Sequence, residues 1–301
     1  MTAKVFCLGV ATLDLIYAIE RLPADDGKIS AASYHLSGGG MAANAAVAIA
    51  RLGGGSSWCG RLGDDEHGRR ILEGLAAESV DGSQARVFPG VASPHSVVLV
   101  DNEGRRALVL FRPALDDSDA GWLPLDAILS SDALLADNRW VAGAKLALAA
   151  ARARGLPAVL DADVGTGAET REAVRAATHT IFAGAALASL YETDDVEAGL
   201  RRASADCSFV AVTLGAQGVC WIDQRGAFHS LPAFPVVALE TVGAGDVFHG
   251  AFALALLETG EEGAALRFAA AAAALKCAGR GGRSSFPSRA EVEKLLAGRA
   301  D

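Results

Sequence analysis

Short apolar runs separated by alanine-rich stretches limit this chain to a narrow set of folds. The runs are Val5-Phe6-Cys7-Leu8-Gly9-Val10, Ala133-Leu134-Leu135-Ala136, Ala158-Val159-Leu160-Asp161, Thr180-Ile181-Phe182-Ala183 and Phe209-Val210-Ala211-Val212-Thr213. Runs this short, without polar alternation, read as strands buried on both faces. Helical patterns such as 143–154 and 168–177 lie between them, and the alanine run 269–274 also reads as helix. Strand and helix in alternation predict an α/β fold with a parallel sheet covered on both sides. Two regions, about 15–36 and 91–112, break that rhythm. They alternate polar and apolar residues around turns such as Asn102-Glu103-Gly104, which predicts hairpins.

Two glycine motifs carry the chemistry. Near the C-terminal end stands Glu240-Thr241-Val242-Gly243-Ala244-Gly245-Asp246, followed by an apolar helical run from Val247 to Leu256. Glycines flanking an alanine allow a sharp turn, so that the amides of Gly243, Ala244 and Gly245 converge on one anion. The positive end of the helix dipole adds to that site. Asp246 at the helix start either caps the helix or accepts a proton. Amides for developing negative charge beside a base are the parts of phosphoryl transfer to an alcohol. Thr241 orders the turn or bonds to local backbone. Upstream, Ser37-Gly38-Gly39-Gly40-Met41-Ala42-Ala43-Asn44 opens an alanine-rich helix that Gly53 stops. Small residues there admit a ligand close to the backbone, and Asn44 offers a donor and an acceptor to hydroxyls.

This pair of motifs, in this order, resembles the ribokinase/PfkB carbohydrate kinases over essentially the whole chain. The resemblance implies a ribokinase-like parallel-sheet sandwich in which residues 1–301 form one kinase domain. Segments 15–36 and 91–112 become a small β-sheet lid over the sugar, able to pair between subunits as a homodimer. Such a lid excludes water and so protects ATP from hydrolysis. The resemblance makes Asp246 the general base and the amides of Gly243, Ala244 and Gly245 the anion hole. Asp14, after the first strand, becomes a sugar-hydroxyl acceptor unless it merely caps a turn. Gly38, Gly39, Gly40 and Asn44 complete the sugar floor. On the nucleotide side, Thr213-Leu214-Gly215-Ala216-Gln217-Gly218 matches the ATP-side turn. Lys276 to Arg283, with Gly281 and Gly282, is placed near adenine and phosphates.

ATP and Mg²⁺ are the implied cofactors, with room for a monovalent cation. The chain departs from the family pattern in two places. Glu240 replaces a common Asp, and Phe182-Ala183-Gly184-Ala185-Ala186-Leu187 replaces an Asn-x-x-Glu string that organises magnesium through water. The metal is therefore expected on phosphates and water, with its protein ligands unknown. No GxxxxGK[ST] string occurs, and the loose glycine spacing of 38–43 makes a poor dinucleotide fingerprint.

Within the family, Leu135-Ala136-Asp137-Asn138-Arg139-Trp140, Asp246-Val247-Phe248-His249-Gly250, and Ala274-Leu275-Lys276-Cys277 with Gly281-Gly282-Arg283 resemble the sulfofructose kinase branch. Lys28 and Arg139 stand where that branch meets the sulfonate, while Leu110 replaces its lid asparagine. The competing readings are a solvated loop lysine for Lys28 and a structural salt bridge for Arg139. The expected activity is ATP-dependent phosphorylation of a ketohexose-like sugar, with an anionic tail in that branch. The alternatives are a pentose or nucleoside kinase, and a non-catalytic sugar- or nucleotide-binding protein.

Composition narrows the partners. With 27 basic against 36 acidic residues and no basic block, nucleic acid is not an expected ligand. Five scattered cysteines without a CxxC pair suit reduced thiols in the cytoplasm rather than disulfides or zinc. The first ten residues lack a basic leader region and a small-residue cleavage site. The N-terminal apolar stretch is too short for a membrane span.

Overall fold

A computed structural model describes residues 2–113, 118–165, 167–223 and 225–298. Its centre is an eight-stranded sheet. From one edge, the strand order is Gly55–Cys59, Lys4–Leu8, Ala133–Asp137, Ala158–Ala162, His179–Ala183, Phe209–Thr213, Val219–Ile222 and Phe228–Leu231. The first six run parallel, and the last two pairings are antiparallel, so that Val219–Ile222 alone is reversed. All five apolar runs are therefore strands of one sheet, as the sequence predicts.

Strand periodicity splits the core into two halves. Val5, Cys7, Leu135, Val159, Ile181 and Ala211 face one side, packed with residues of the helices Met41–Arg51, Ala244–Thr259 and Glu262–Ala278. Phe6, Leu8, Leu134, Ala136, Leu160, Phe182 and Val212 face the other, against residues of the helices Val141–Ala153, Gly167–Ala176 and Val196–Ala203. Alanine-rich helices fit this arrangement, because small side chains bring helix axes close to the sheet and to one another. Gly250 marks one such approach: a Cβ there would strike the Ala45 backbone of the neighbouring helix.

A separate four-stranded sheet contains Ala31–Gly39, Thr12–Ile19, His95–Val100 and Arg106–Phe111, in that order. It forms the lid. Its outer hairpin turns at Gly104 (φ +78°), where Asp101 accepts the amides of Glu103 and Arg105. Leu108, Val109, Leu110 and Phe111 on its edge strand are exposed. Gly38 and Gly39 belong to the lid strand, paired with Leu13 and Thr12. Only Gly40 (φ +93°) caps the following helix, which corrects the expectation that all three glycines open it. All five cysteines are free. Among the described residues, no helix is long and apolar enough to cross a membrane.

Candidate active site

The helix Ala244–Thr259 starts at the edge of the sheet where the parallel strands end, behind a turn that Gly243 makes with φ +78°. Glycine is the residue that adopts this left-handed conformation without strain. Ala244 donates its amide to the Thr241 carbonyl at 3.2 Å, so this expected member of the anion hole also closes the turn. Gly245 and Asp246 follow in the first helical turn, where amides have no intrahelical acceptor.

Asp246 is half-buried and tied into a polar chain. Asn44 Nδ2 donates to its Oδ2 at 2.7 Å, and Arg283 Nε donates to Asn44 Oδ1 at 2.8 Å. Arg283 Nη2 also donates to the Gly39 carbonyl at 3.1 Å. Asn44 thus spends both ends of its amide on protein groups. It links Asp246 to Arg283, and one N–H and one lone pair of the amide remain beyond these two bonds. Burial pushes the Asp246 carboxyl up to about 6, against the Asn44 hydrogen bond; the Asp137 charge adds to the rise and Arg283 opposes it. A carboxylate with that affinity for a proton suits a base near neutral pH.

Two glycines are explained by these neighbours. A Cβ on Gly38 would overlap the Arg283 guanidinium, and one on Gly39 would overlap Asp14 and Thr12. Asp14 lies on the lid strand Thr12–Ile19 and uses one oxygen, Oδ1, for Ser96 Oγ (2.7 Å) and Thr12 Oγ1 (3.1 Å). Both of these donors lie on Oδ1. Arg283 is buried, and burial lowers its guanidinium to about 10, with Asp14 the largest opposing charge. The sequence marks Arg283 only by its place after two glycines.

Asp137 supports this floor from below. Its Oδ2 accepts the amides of Val10 (2.8 Å) and Ala42 (3.1 Å), and its Oδ1 accepts that of Arg139 (2.9 Å). It thereby locks the end of the first strand to the start of the Asn44 helix. The carboxylate fills the space where a Cβ on Gly9 would stand.

His249, one helical turn beyond Gly245, lies 2.6 Å from the Gly245 carbonyl through Nδ1, and its Nε2 lies 3.3 Å from Asp161 Oδ1. A carbonyl only accepts, so Nδ1 carries the proton. Burial pushes Asp161 well above the usual carboxylate range, with the Asp246 charge adding to the rise, and burial lowers His249. His249 Nε2 also lies 3.3 Å from the Ile181 carbonyl, so the ring sits between acceptors on both sides. His249 thereby holds the carbonyl of Gly245, the residue before Asp246.

The remaining expected residues fall into three groups. Thr213, Gly215 and Gly218 surround a tight turn at the end of the strand Phe209–Thr213, with Gly218 (φ +97°) pressed on the Leu231 carbonyl. Gly281 and Gly282 donate their amides to the Glu240 carboxylate at 3.1 Å each. Lys276 is fully buried on the same carboxylate at 2.8 Å, which corrects its expected place at the phosphates. Arg139 pairs with the Asp163 carboxylate and donates to the Val164 carbonyl at 2.7 Å, so its salt-bridge reading holds. Lys28 is exposed in the loop between the first two lid strands, and Leu110 lies exposed on the lid edge. Among the described residues, no group of three or more His, Cys, Asp or Glu side chains is arranged to hold a metal.

The description of the pfkB family carbohydrate kinases matches residues 2–289. The ATP-dependent ribose-1-phosphate kinase of Halopiger xanaduensis is 32% identical over 99% of this chain and 99% of its own. A crystal structure of an Agrobacterium tumefaciens protein superposes with a TM-score of 0.91 at 36% identity, covering 99% of this chain and 98% of the other. Arabidopsis thaliana ribokinase, complexed with ribose and ATP, superposes with a TM-score of 0.85 at 27% identity over 98% and 99% of the two chains. On these matches over nearly its whole length, this chain belongs to the pfkB family of carbohydrate kinases.

Proposed function

We propose that this enzyme transfers the γ-phosphoryl group of ATP to a hydroxyl of a pentose, with Asp246 as general base. The observation that carries the reading is Asp246 itself, held by Asn44 at 2.7 Å in the first turn of a glycine-led helix. The sugar lies on Gly38, Gly39 and Asp14, and its attacking hydroxyl gives its proton to Asp246. The amides of Gly243, Ala244 and Gly245 face the transferring phosphoryl group, and the dipole of the long helix behind them adds to its stabilisation. Thr213, Gly215, Gly218, Gly281 and Gly282 line the nucleotide side. Mg²⁺ would supply charge neutralisation at the β- and γ-phosphates, and the segment Gly184-Ala185-Ala186-Leu187 offers no side-chain oxygen to hold it.

Relatives acting on ribose and on ribose 1-phosphate favour a pentose over the ketohexose reading. The sulfonate-binding role of Arg139 loses its basis where the guanidinium is already on Asp163. Magnesium-dependent ADP release, measured in parallel with ribose, ribose 1-phosphate, fructose, sulfofructose and adenosine, decides the substrate. Ribose or its phosphate is expected to give the highest kcat/KM. A preference of more than about tenfold for sulfofructose, equivalent to roughly 1.4 kcal/mol of transition-state discrimination, would restore the anionic ketohexose reading.

The lid carries a second expectation. Leu108, Val109, Leu110 and Phe111 present an apolar edge strand, the kind of surface that a second chain covers. A homodimer through the lid is expected in light scattering after gel filtration. Val109→Asp should convert it to a monomer, and a wild-type monomer would refute the arrangement.

A further inference from the structure

Lys276 places an ammonium group in the interior, beside the turn that leads to Gly243. The side chain has 0% relative exposure at the end of the helix Glu262–Ala278. Its Nζ donates to Glu240 Oε1 at 2.8 Å and lies 3.5 Å from the Glu240 carbonyl oxygen. The same carboxylate accepts the amides of Gly281 and Gly282, and the Glu240 amide donates to the Cys277 carbonyl at 3.2 Å. Burial pushes the Glu240 carboxyl up, but Lys276 and these two amides outweigh it and hold the group below its usual range. One cation thus joins the run entering the anion-hole turn, the end of a core helix, and the loop that carries Arg283.

A carbonyl and a carboxylate oxygen converging on a buried monovalent charge is the chemistry that holds potassium or ammonium in other proteins. An exchangeable ion serving this turn would need the same oxygens, and Nζ already occupies the space between them. We propose that the Lys276 ammonium is a built-in substitute for a monovalent cation, so that the enzyme folds and turns over without one. The family resemblance left room for such an ion, and the residues present do not fit it. The inference rests on the Gly243–Asp246 turn being the phosphate end of the site.

The test reads melting of the ligand-free protein and turnover, each in potassium, sodium, ammonium and choline chloride at equal ionic strength. Wild type is expected to melt within about 1 °C in all four and to turn over within about twofold, because no ion binds the native state selectively. Lys276→Ala opens a space lined by the Glu240 oxygens. It should melt lower and lose at least about tenfold in kcat in choline, and potassium or ammonium should recover much of both. Lys276→Met fills that space with an apolar chain and should show no recovery. Potassium-specific stabilisation or stimulation of wild type would overturn the proposal, and that series decides even if neither variant folds. A folded Lys276→Ala protein indifferent to every ion would also overturn it. Melting is read without sugar or nucleotide, so either result leaves the assignment of Asp246 standing or falling on its own test.

Discussion

Asp246→Asn is expected to lower kcat by roughly a thousandfold while sugar and ATP still bind, the scale set by general-base catalysis. The substitution keeps the shape of the side chain and an oxygen to accept from Asn44, so the polar chain to Arg283 survives. What disappears is the proton acceptor. The substitution leaves the amides at the helix start in place, so binding measured by isothermal titration should be largely unchanged. The same assignment fixes the sign of the pH dependence. The carboxyl is pushed up to about 6, and only its ionised form accepts a proton. In wild type kcat/KM should therefore rise through about pH 6 to a plateau, falling below that point as Asp246 becomes protonated. A variant that keeps more than about a tenth of wild-type kcat, or an acid limb that stays flat through pH 6, would remove Asp246 from the role.

The fold was largely legible because its strongest signals are local. A strand such as Phe209–Thr213 is covered on both faces, so its apolar run needs no partner to be recognised. The hairpin at Gly104 is local in the same way. The glycine run at 38–40 was harder, since glycine reads alike in a strand, a cap and a loop. Gly38 and Gly39 pair within the lid strand, and only glycine fits there because Arg283 and Asp14 fill the space of a Cβ; Arg283 lies more than two hundred residues away. Contacts of that separation leave no periodic trace. Asn44 shows the same limit: its position was legible, but its two ends are claimed by Asp246 and Arg283. In one dimension Lys276 reads as a nucleotide-side residue, and Arg139 as either a sulfonate contact or a salt bridge. Glu240 and Asp163, distant in sequence, take them up in three.

Arg283→Gln should lower kcat/KM at pH 7 by about a hundredfold, through the proton affinity of Asp246 as well as through geometry. Arg283 fixes the Asn44 amide through Nε and the sugar-floor strand through the Gly39 carbonyl. Its charge also favours the ionised form of Asp246. Without it, the Asn44 amide loses the partner that orients it toward Asp246, and Asp246 loses a stabilising cation. Both losses raise the Asp246 pKa, so the acid limb of kcat/KM should move above 6 and less base is available at pH 7. Arg283→Lys separates the two contributions. It restores a positive charge but not the forked contact to Asn44 and Gly39, so its limb should return toward the wild-type position while kcat/KM stays depressed. Removing a buried guanidinium also breaks its bonds to Asn44 and Gly39 and so lowers stability. The melting temperature alone therefore cannot separate a structural role from a positioning one. The pH limb can: if both variants melt lower and keep the wild-type limb, Arg283 only holds the lid strand to the core, and Asp246 draws its proton affinity from burial and Asn44 alone.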